Sequence, residues 1–323
     1  MHILFLTEHT APEETSIGFV PAWDIILWNT LQYTGFATYD VMYYDMWYTT
    51  KNKSLWSPSE RMKGSVQDYL NYRNPDAIIA WFNYYDTEES RAGIIDMVKF
   101  AVDRKIKVFQ LWPDCVVRQQ IEAADILADY MEKHILIAHR TAPPSSVKKD
   151  KYLGLWTPQC PKYFYNTNRN KAISVALNGE YMSREDRLWI VNMAHHHNVD
   201  IKLSGGRSSS PIDTETYARN ARTTSIMLNS SQHPSFPQAK GRVFETLATC
   251  SMLLEMANPT VRDYIRPDID YVEFIPNETD MIDKIRYYTK HENERKKIAE
   301  SGHAVYSEKY TPQHFWKEVM RHI

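Results

Sequence analysis

Lys240-Gly241-Arg242-Val243-Phe244-Glu245 sets two cations and a carboxylate side by side between two apolar runs, Ser225–Asn229 and Met252–Met256. Those runs read as buried strands, so the segment opens a helix at the carboxyl side of a parallel sheet, where α/β proteins place ligands. A helix N-terminus favours an anion through its unpaired N–H groups and its macrodipole. Lys240 and Arg242 add mobile positive charge at that end. Arg242, Glu245 and Thr249 follow at i, i+3 and i+7 and share one face, while Phe244, Leu247 and Ala248 share another that can pack on the sheet. One face thus offers cations for a diphosphate and, a turn further in, a carboxylate able to accept hydrogen bonds from a sugar diol. Taken alone, Arg-x-x-Glu is also ordinary helix chemistry, and its surroundings must decide.

Other constellations fall at strand ends. Ser204-Gly205-Gly206-Arg207 follows the run Val199–Leu203. Its glycines permit close backbone approach and Arg207 can fork onto phosphate oxygens, or the segment is a plain turn with a surface arginine. Asn178-Gly179-Glu180 follows Ala172–Leu177, with Arg184 just after, and reads as a ligand loop or a polar turn. Trp112-Pro113-Asp114 follows Lys107–Leu111. Asp114 is the best-placed carboxylate for deprotonating a hydroxyl and equally a good helix N-cap. Glu8 and His9 end the first run, and Gly18 closes the long polar loop from Thr10, so these three are acceptor-side candidates. His195-His196-His197 invites a metal reading, but consecutive helical residues point about 100° apart, and no metal is expected. Lys148-Lys149-Asp150-Lys151 reads as solvated chain.

The elements that must position these residues alternate. Strands are expected at Ile3–Thr7, Tyr39–Tyr43, Ala77–Trp81, Lys107–Leu111 and Ile135–Ala138, then at Ala172–Leu177, Val199–Leu203, Ser225–Asn229, Met252–Glu255 and Tyr271–Ile275. Helical patterns fall near Arg184–His197, Thr214–Ala221, Gly241–Cys250, Thr279–Tyr288, Glu292–Tyr306 and Pro312–Arg321. Strands separated by helices mean βαβ units and parallel sheets. Thr141 to Lys171, with four prolines and a lysine run, reads as a linker between two such arrays.

A chain of 323 residues suits two domains. A net charge of −2 supplies no general basic field for nucleic acid or anionic membrane. The three cysteines, Cys115, Cys160 and Cys250, are isolated and odd in number, which points to a reducing, cytoplasmic-type compartment. Met1–Thr7 is too short for a signal or a span. No G-x-G-x-x-G follows the first strand and there is no P-loop, which disfavours a nicotinamide dehydrogenase or a P-loop NTPase.

Arg242-Val-Phe-Glu245-Thr-Leu-Ala248-Thr-Cys250 resembles the Arg-x-Phe-Glu-Ala-hydrophobic-Ala-x-Gly pattern of group 1 glycosyltransferases of GT-B fold, the type related to spore-maturation proteins. The resemblance continues through Met252-Leu-Leu-Glu, Tyr271-Val-Glu-Phe, Glu294-Arg-Lys-Lys-Ile-Ala-Glu300-Ser-Gly302 and Tyr310-Thr311. Two departures stand out. Cys250 replaces the family's glycine, so the turn into the next strand must be made differently. Related retaining enzymes carry another acidic residue shortly before the ribose-binding Glu, where this chain has Phe236-Pro237-Gln238-Ala239.

The resemblance implies an α/β protein of GT-B type, with two Rossmann-like domains facing across a cleft. Residues 1–160 would form the acceptor domain and 161–305 the nucleotide-sugar domain, while 306–323 would pack back on the first. It implies transfer of a sugar from a nucleoside-diphosphate sugar such as a UDP-sugar, retaining and without a metal or other cofactor. The acceptor stays open: glycan, protein, lipid or modified nucleic acid. Glu245 would bind the ribose, while Asn178, Gly206, Arg207, Lys240, Gly241 and Arg242 would surround the diphosphate. A nucleotide-sugar epimerase of the same fold, a viral-type DNA glycosyltransferase and a non-catalytic glycan-binding or coat protein remain alternatives.

Overall fold

The computed structural model describes residues 1–7, 27–43, 66–81, 88–112, 118–169, 171–205, 212–231 and 238–323. The chain is α/β and forms two compact units, each built on its own sheet. The first unit contains β1 (His2–Thr7), β2 (Thr38–Tyr43), β3 (Ala77–Ala80), α1 (Glu88–Val102), β4 (Lys107–Trp112), α2 (Arg118–Leu127), β5 (Lys133–Ile137) and β6 (Tyr152–Leu155). Its strand order is β2-β1-β3-β4-β5-β6, with parallel pairing throughout. Runs such as Ile3–Leu6 and Ala77–Ala80 are buried along their whole length, as expected for strands covered on both faces. Residues Trp316–Ile323 belong to this unit. The Trp316 ring lies edge-on to Phe5 with centroids 5.9 Å apart, and Lys107 Nζ donates to His322 O at 2.7 Å.

The second unit contains β7 (Ile173–Asn178), α3 (Glu185–His196), β8 (Lys202–Ser204), α4 (Thr214–Thr223), β9 (Thr224–Asn229), α5 (Gly241–Ala248), β10 (Met252–Met256), α6 (Pro259–Arg262), β11 (Val272–Phe274), α7 (Glu278–Lys290) and α8 (Glu292–Lys309). A last helix, α9 (Pro312–Met320), passes from this unit into the first at Trp316. The order here is β11-β10-β9-β7-β8, again all parallel. Val175, Leu177, Ile226, Leu228 and Leu254 face Ile190, Val191 and Ala194 of α3 and Met281, Ile282 and Ile285 of α7. Helix α5 packs through Phe244, whose ring meets Tyr264 and Tyr310 at 5.3 and 5.5 Å between centroids.

One segment departs from expectation. The stretch read as a linker holds β6, which pairs with β5 from His134↔Tyr152 to Ile137↔Leu155. A short edge strand flanked by lysines and prolines has too little apolar periodicity to announce itself. Beyond it, Lys171 draws three elements together. Its ammonium donates to Arg222 O and Thr249 O, each at 2.7 Å, and to Ser251 Oγ at 3.3 Å.

Candidate functional site

The strands of the second sheet end in polar residues, and register brings them level. Asn178 pairs with Ser204 across β7 and β8, and Asn229 pairs with Glu255 across β9 and β10. The chain leaves β7 toward β8 and leaves β9 toward β10, so the carboxyl ends of β7 and β9 flank the point where the winding reverses. Open parallel sheets bind ligands in that crevice. Arg242 of α5 occupies it. Its Nε donates to Asn229 Oδ1 at 3.2 Å, and its guanidinium lies over Gly179, the residue after β7. A Cβ on Gly179 would stand 1.9 Å from Arg242 Nη1, and Gly179 has φ +89°. Only glycine meets both demands.

Asn178 is buried. Its Oδ1 accepts from Ser204 Oγ at 2.6 Å, while its Nδ2 has no partner among the described residues. A buried amide donor left open at the mouth of a sheet suits an acceptor that arrives with a ligand. The N-cap residues of α3 and α5, Arg184 and Lys240, carry donors only and so cannot cap, whereas Asp213 and Asn277 cap α4 and α7 in the ordinary manner. The first turn of α5 is held from outside by Gln159, whose Nε2 donates to Gly241 O at 3.3 Å.

One turn along α5, Glu245 accepts from Tyr217 Oη at 2.8 Å. The Tyr217 ring rests against Gly205 on one side and edge-on to Phe164 on another. Burial raises the Glu245 carboxyl above the ordinary range, and Arg242 and Tyr217 pull it partly back. Burial and the Glu245 charge raise the Tyr217 phenol, which therefore remains a donor.

Beneath Arg242 lies a second polar layer. Glu255 accepts from Asn229 Nδ2 at 2.7 Å and from Ser231 N at 2.8 Å. Burial pushes its carboxyl up to about 7, against the opposing effect of those bonds. Arg187 of α3 is buried, and its guanidinium holds Ser230 O at 2.9 and 3.1 Å and Glu180 O at 2.9 Å. Burial, then repulsion from Arg242 and Arg184, lowers it to about 9. Two arginines thus crowd one crevice above a carboxyl whose neutral form burial favours.

Of the residues singled out in the sequence, Asn178, Lys240, Gly241, Arg242 and Glu245 come together here. Glu8, His9, Gly18, Asp114, Gly206 and Arg207 lie outside the described residues. Arg184, a candidate for reaching phosphate, instead forks onto Asp186 at 3.0 and 3.2 Å. Thr249 does not share the exposed face. It is buried at the C-cap and bonds Glu245 O at 3.0 Å. The turn at Cys250 is not made differently: Cys250 takes φ +55°, with Cys250 N bonded to Leu247 O and Ser251 N to Thr246 O, the usual glycine-type helix stop on a non-glycine residue. Gly179, Tyr217, Asn229, Ser231, Arg187 and Glu255 complete the site. The signal that could have found several of them is a polar residue closing an otherwise apolar strand.

The α/β architecture, with its two parallel sheets, is that of the GT-B fold. Residues 184–321 match the model of the glycosyl transferase-like family. No curated protein sequence matches the chain. Among solved structures, HepE of Anabaena in complex with UDP-glucose superposes with a TM-score of 0.64 at 9% identity, covering 100% of both chains. A glycosyltransferase of Rickettsia africae gives 0.63 at 11% identity, covering 99% of this chain and 97% of that one. Sucrose-phosphate synthase of Thermosynechococcus elongatus gives 0.57 at 9% identity, covering 99% and 98%. At such identities the likeness shows the fold. No helix among the described residues is long and apolar enough to cross a membrane.

Proposed function

We propose that this chain is a glycosyltransferase whose second unit binds a nucleoside-diphosphate sugar, of UDP-sugar type, as substrate. The observation that carries the reading is Arg242, held across the β7–β9 crevice by Gly179 beneath it and Asn229 beside it, one turn before Glu245. In this reading Arg242, Lys240 and the first-turn N–H groups of α5 take the diphosphate. Gly206 and Arg207 complete that grip, and Asn178 offers its open N–H to it. Glu245, steadied by Tyr217, accepts from the ribose hydroxyls. Positive charge at the leaving diphosphate is what speeds transfer, because negative charge develops there as the glycosidic bond breaks. Such stabilisation replaces a metal, so transfer proceeds without one. The configuration of the sugar is retained. Asp114 assists the acceptor hydroxyl, with Glu8, His9 and Gly18 lining the acceptor side.

The experiment is calorimetry with UDP, GDP, ADP and TDP, followed by Arg242→Ala and Glu245→Gln. At least one nucleotide is expected to bind. Each substitution removes a charge-assisted hydrogen bond, so affinity should fall by roughly tenfold to a hundredfold. Binding of none of the four nucleotides, or unchanged affinity in both variants, would overturn the reading. A donor-hydrolysis assay over a panel of nucleotide sugars, run with and without EDTA, then identifies the sugar and tests independence of metal.

A further inference from the structure

The histidine run at the end of α3 does not behave as three helical residues. The helix stops at His196, and His197 has left it, with φ −91° and ψ 11°. The rule that consecutive helical side chains diverge therefore applies to His195 and His196 but not to His196 and His197. Those two rings stand at 90° to each other with centroids 5.0 Å apart. Helix α7 packs on α3 through Met281, Ile282 and Ile285, and its first residue, Glu278, meets His197 Nε2. One ligand atom from each of His196, His197 and Glu278 falls within 4.8 Å of the others.

We propose that His196, His197 and Glu278 form a binding site for a divalent transition metal, Zn²⁺ in the first instance. Two imidazole nitrogens and one carboxylate oxygen are a donor set for borderline ions rather than for Ca²⁺ or Mg²⁺, which take oxygen ligands. Tetrahedral bonds of about 2.0–2.1 Å hold ligand atoms roughly 3.4 Å apart. The present arrangement reaches that spacing when the His196 ring rotates inward and the close His197–Glu278 pair opens, movements allowed to side chains that are exposed or half-exposed. The ion takes the place of the hydrogen bond between His197 and Glu278, and water fills the fourth position. Two features frame the site. The carbonyl end of α3 lies beside it, and that end of a helix favours a cation. Arg286 of α7 is turned onto the backbone, donating to His197 O at 3.3 Å. The cluster shares no residue with the Arg242–Glu245 site, so it stands or falls independently of the glycosyltransferase reading.

The test is titration of the full chain, dialysed against EDTA and then freed of it, with zinc chloride in a calorimeter. One saturable equivalent is expected. His197→Gln and Glu278→Gln should each weaken it at least tenfold, with His322→Gln, outside the cluster, as the unchanged control. Circular dichroism establishes that the variants are folded. Co²⁺ added to the unsubstituted chain gives a readout that needs no variant, an intense visible band expected of tetrahedral coordination and quenched by Zn²⁺. The absence of saturable binding, binding indifferent to both substitutions, or Co²⁺ showing only the weak spectrum of a hydrated ion would each overturn the proposal.

Discussion

Gly179→Ala should loosen nucleotide binding by displacing Arg242, although it replaces no side chain assigned to the nucleotide. The new Cβ would stand 1.9 Å from Arg242 Nη1, 2.9 Å from Cζ and 3.5 Å from Nη2. Non-bonded heavy atoms settle at about 3.5–4.0 Å, so the guanidinium must withdraw by roughly 1.5 Å. The Nε–Asn229 bond, already 3.2 Å, does not survive such a shift. If Arg242 grips the diphosphate, loss of that grip is worth about 1.5–3 kcal/mol, or roughly tenfold to a hundredfold in Kd. A backbone cost comes with it, since a side chain at positive φ is strained by about 1–2 kcal/mol. Gly35 separates the two effects. It has φ +68° with nothing within 4 Å of its would-be Cβ, so Gly35→Ala incurs the strain alone. Calorimetry with UDP and thermal denaturation on both variants make the comparison. Both should melt a few degrees lower, and only Gly179→Ala should bind more weakly. Adding Gly179→Ala to Arg242→Ala should cost no further affinity, because both act through one side chain. Wild-type affinity in Gly179→Ala would refute the reasoning.

Tyr217→Phe leaves Glu245 without its 2.8 Å donor, so preference for UDP over 2′-deoxy-UDP should narrow by severalfold in competition binding, an effect of about 1 kcal/mol. Glu255 sets a pH dependence. Its folded carboxyl titrates at about 7 against an ordinary 4.5, so the folded chain binds the extra proton between those values. The associated stability is fully present below about pH 4.5 and lost as pH rises through 7, a change of roughly 3 kcal/mol that denaturant titrations should detect and Glu255→Gln should flatten. Lys171→Met strands the carbonyls of Arg222 and Thr249, at about 1–3 kcal/mol each if no water reaches them, and should lower the melting temperature well beyond the Gly35→Ala shift. Asp114→Asn should reduce transfer by about 10²–10⁴-fold while nucleotide affinity stays normal, measured by paired turnover and binding assays.

The α/β class and the two sheets could be read from the chain because parallel strands buried on both faces advertise themselves as apolar runs. Thr224–Asn229 and Met252–Met256 are buried at every position. Strand β6 could not be read, since Tyr152–Leu155 offers one fully buried side chain. Arg242 and Glu245 were legible through helical spacing, a local property. Their partners were not. Asn229 meets Glu255 through strand register, Tyr217 meets Glu245 from the neighbouring helix, and Gly179 matters through what lies above it. In the histidine run the rule for helical interiors stops at the helix end. His197 lies one residue past that end.

The passage of α9 into the first unit has a bearing on the order in which the chain becomes structured. Phe5, in the first strand, waits for Trp316 to cover it, and Lys107 waits for the carbonyl of His322. Everything in the second unit up to Phe315 emerges from the ribosome before Trp316 does. The usual sequence, in which the earlier unit is finished first, is therefore reversed at this point. The second unit can complete its own core while the first still shows a ring-sized apolar gap beside Phe5. A nascent chain stalled short of Trp316 should expose that gap to holdase chaperones, whereas one released beyond His322 should not. Pulse proteolysis of ribosome-bound chains of graded length would time the closure, and protection of the first sheet before Trp316 emerges would contradict this order.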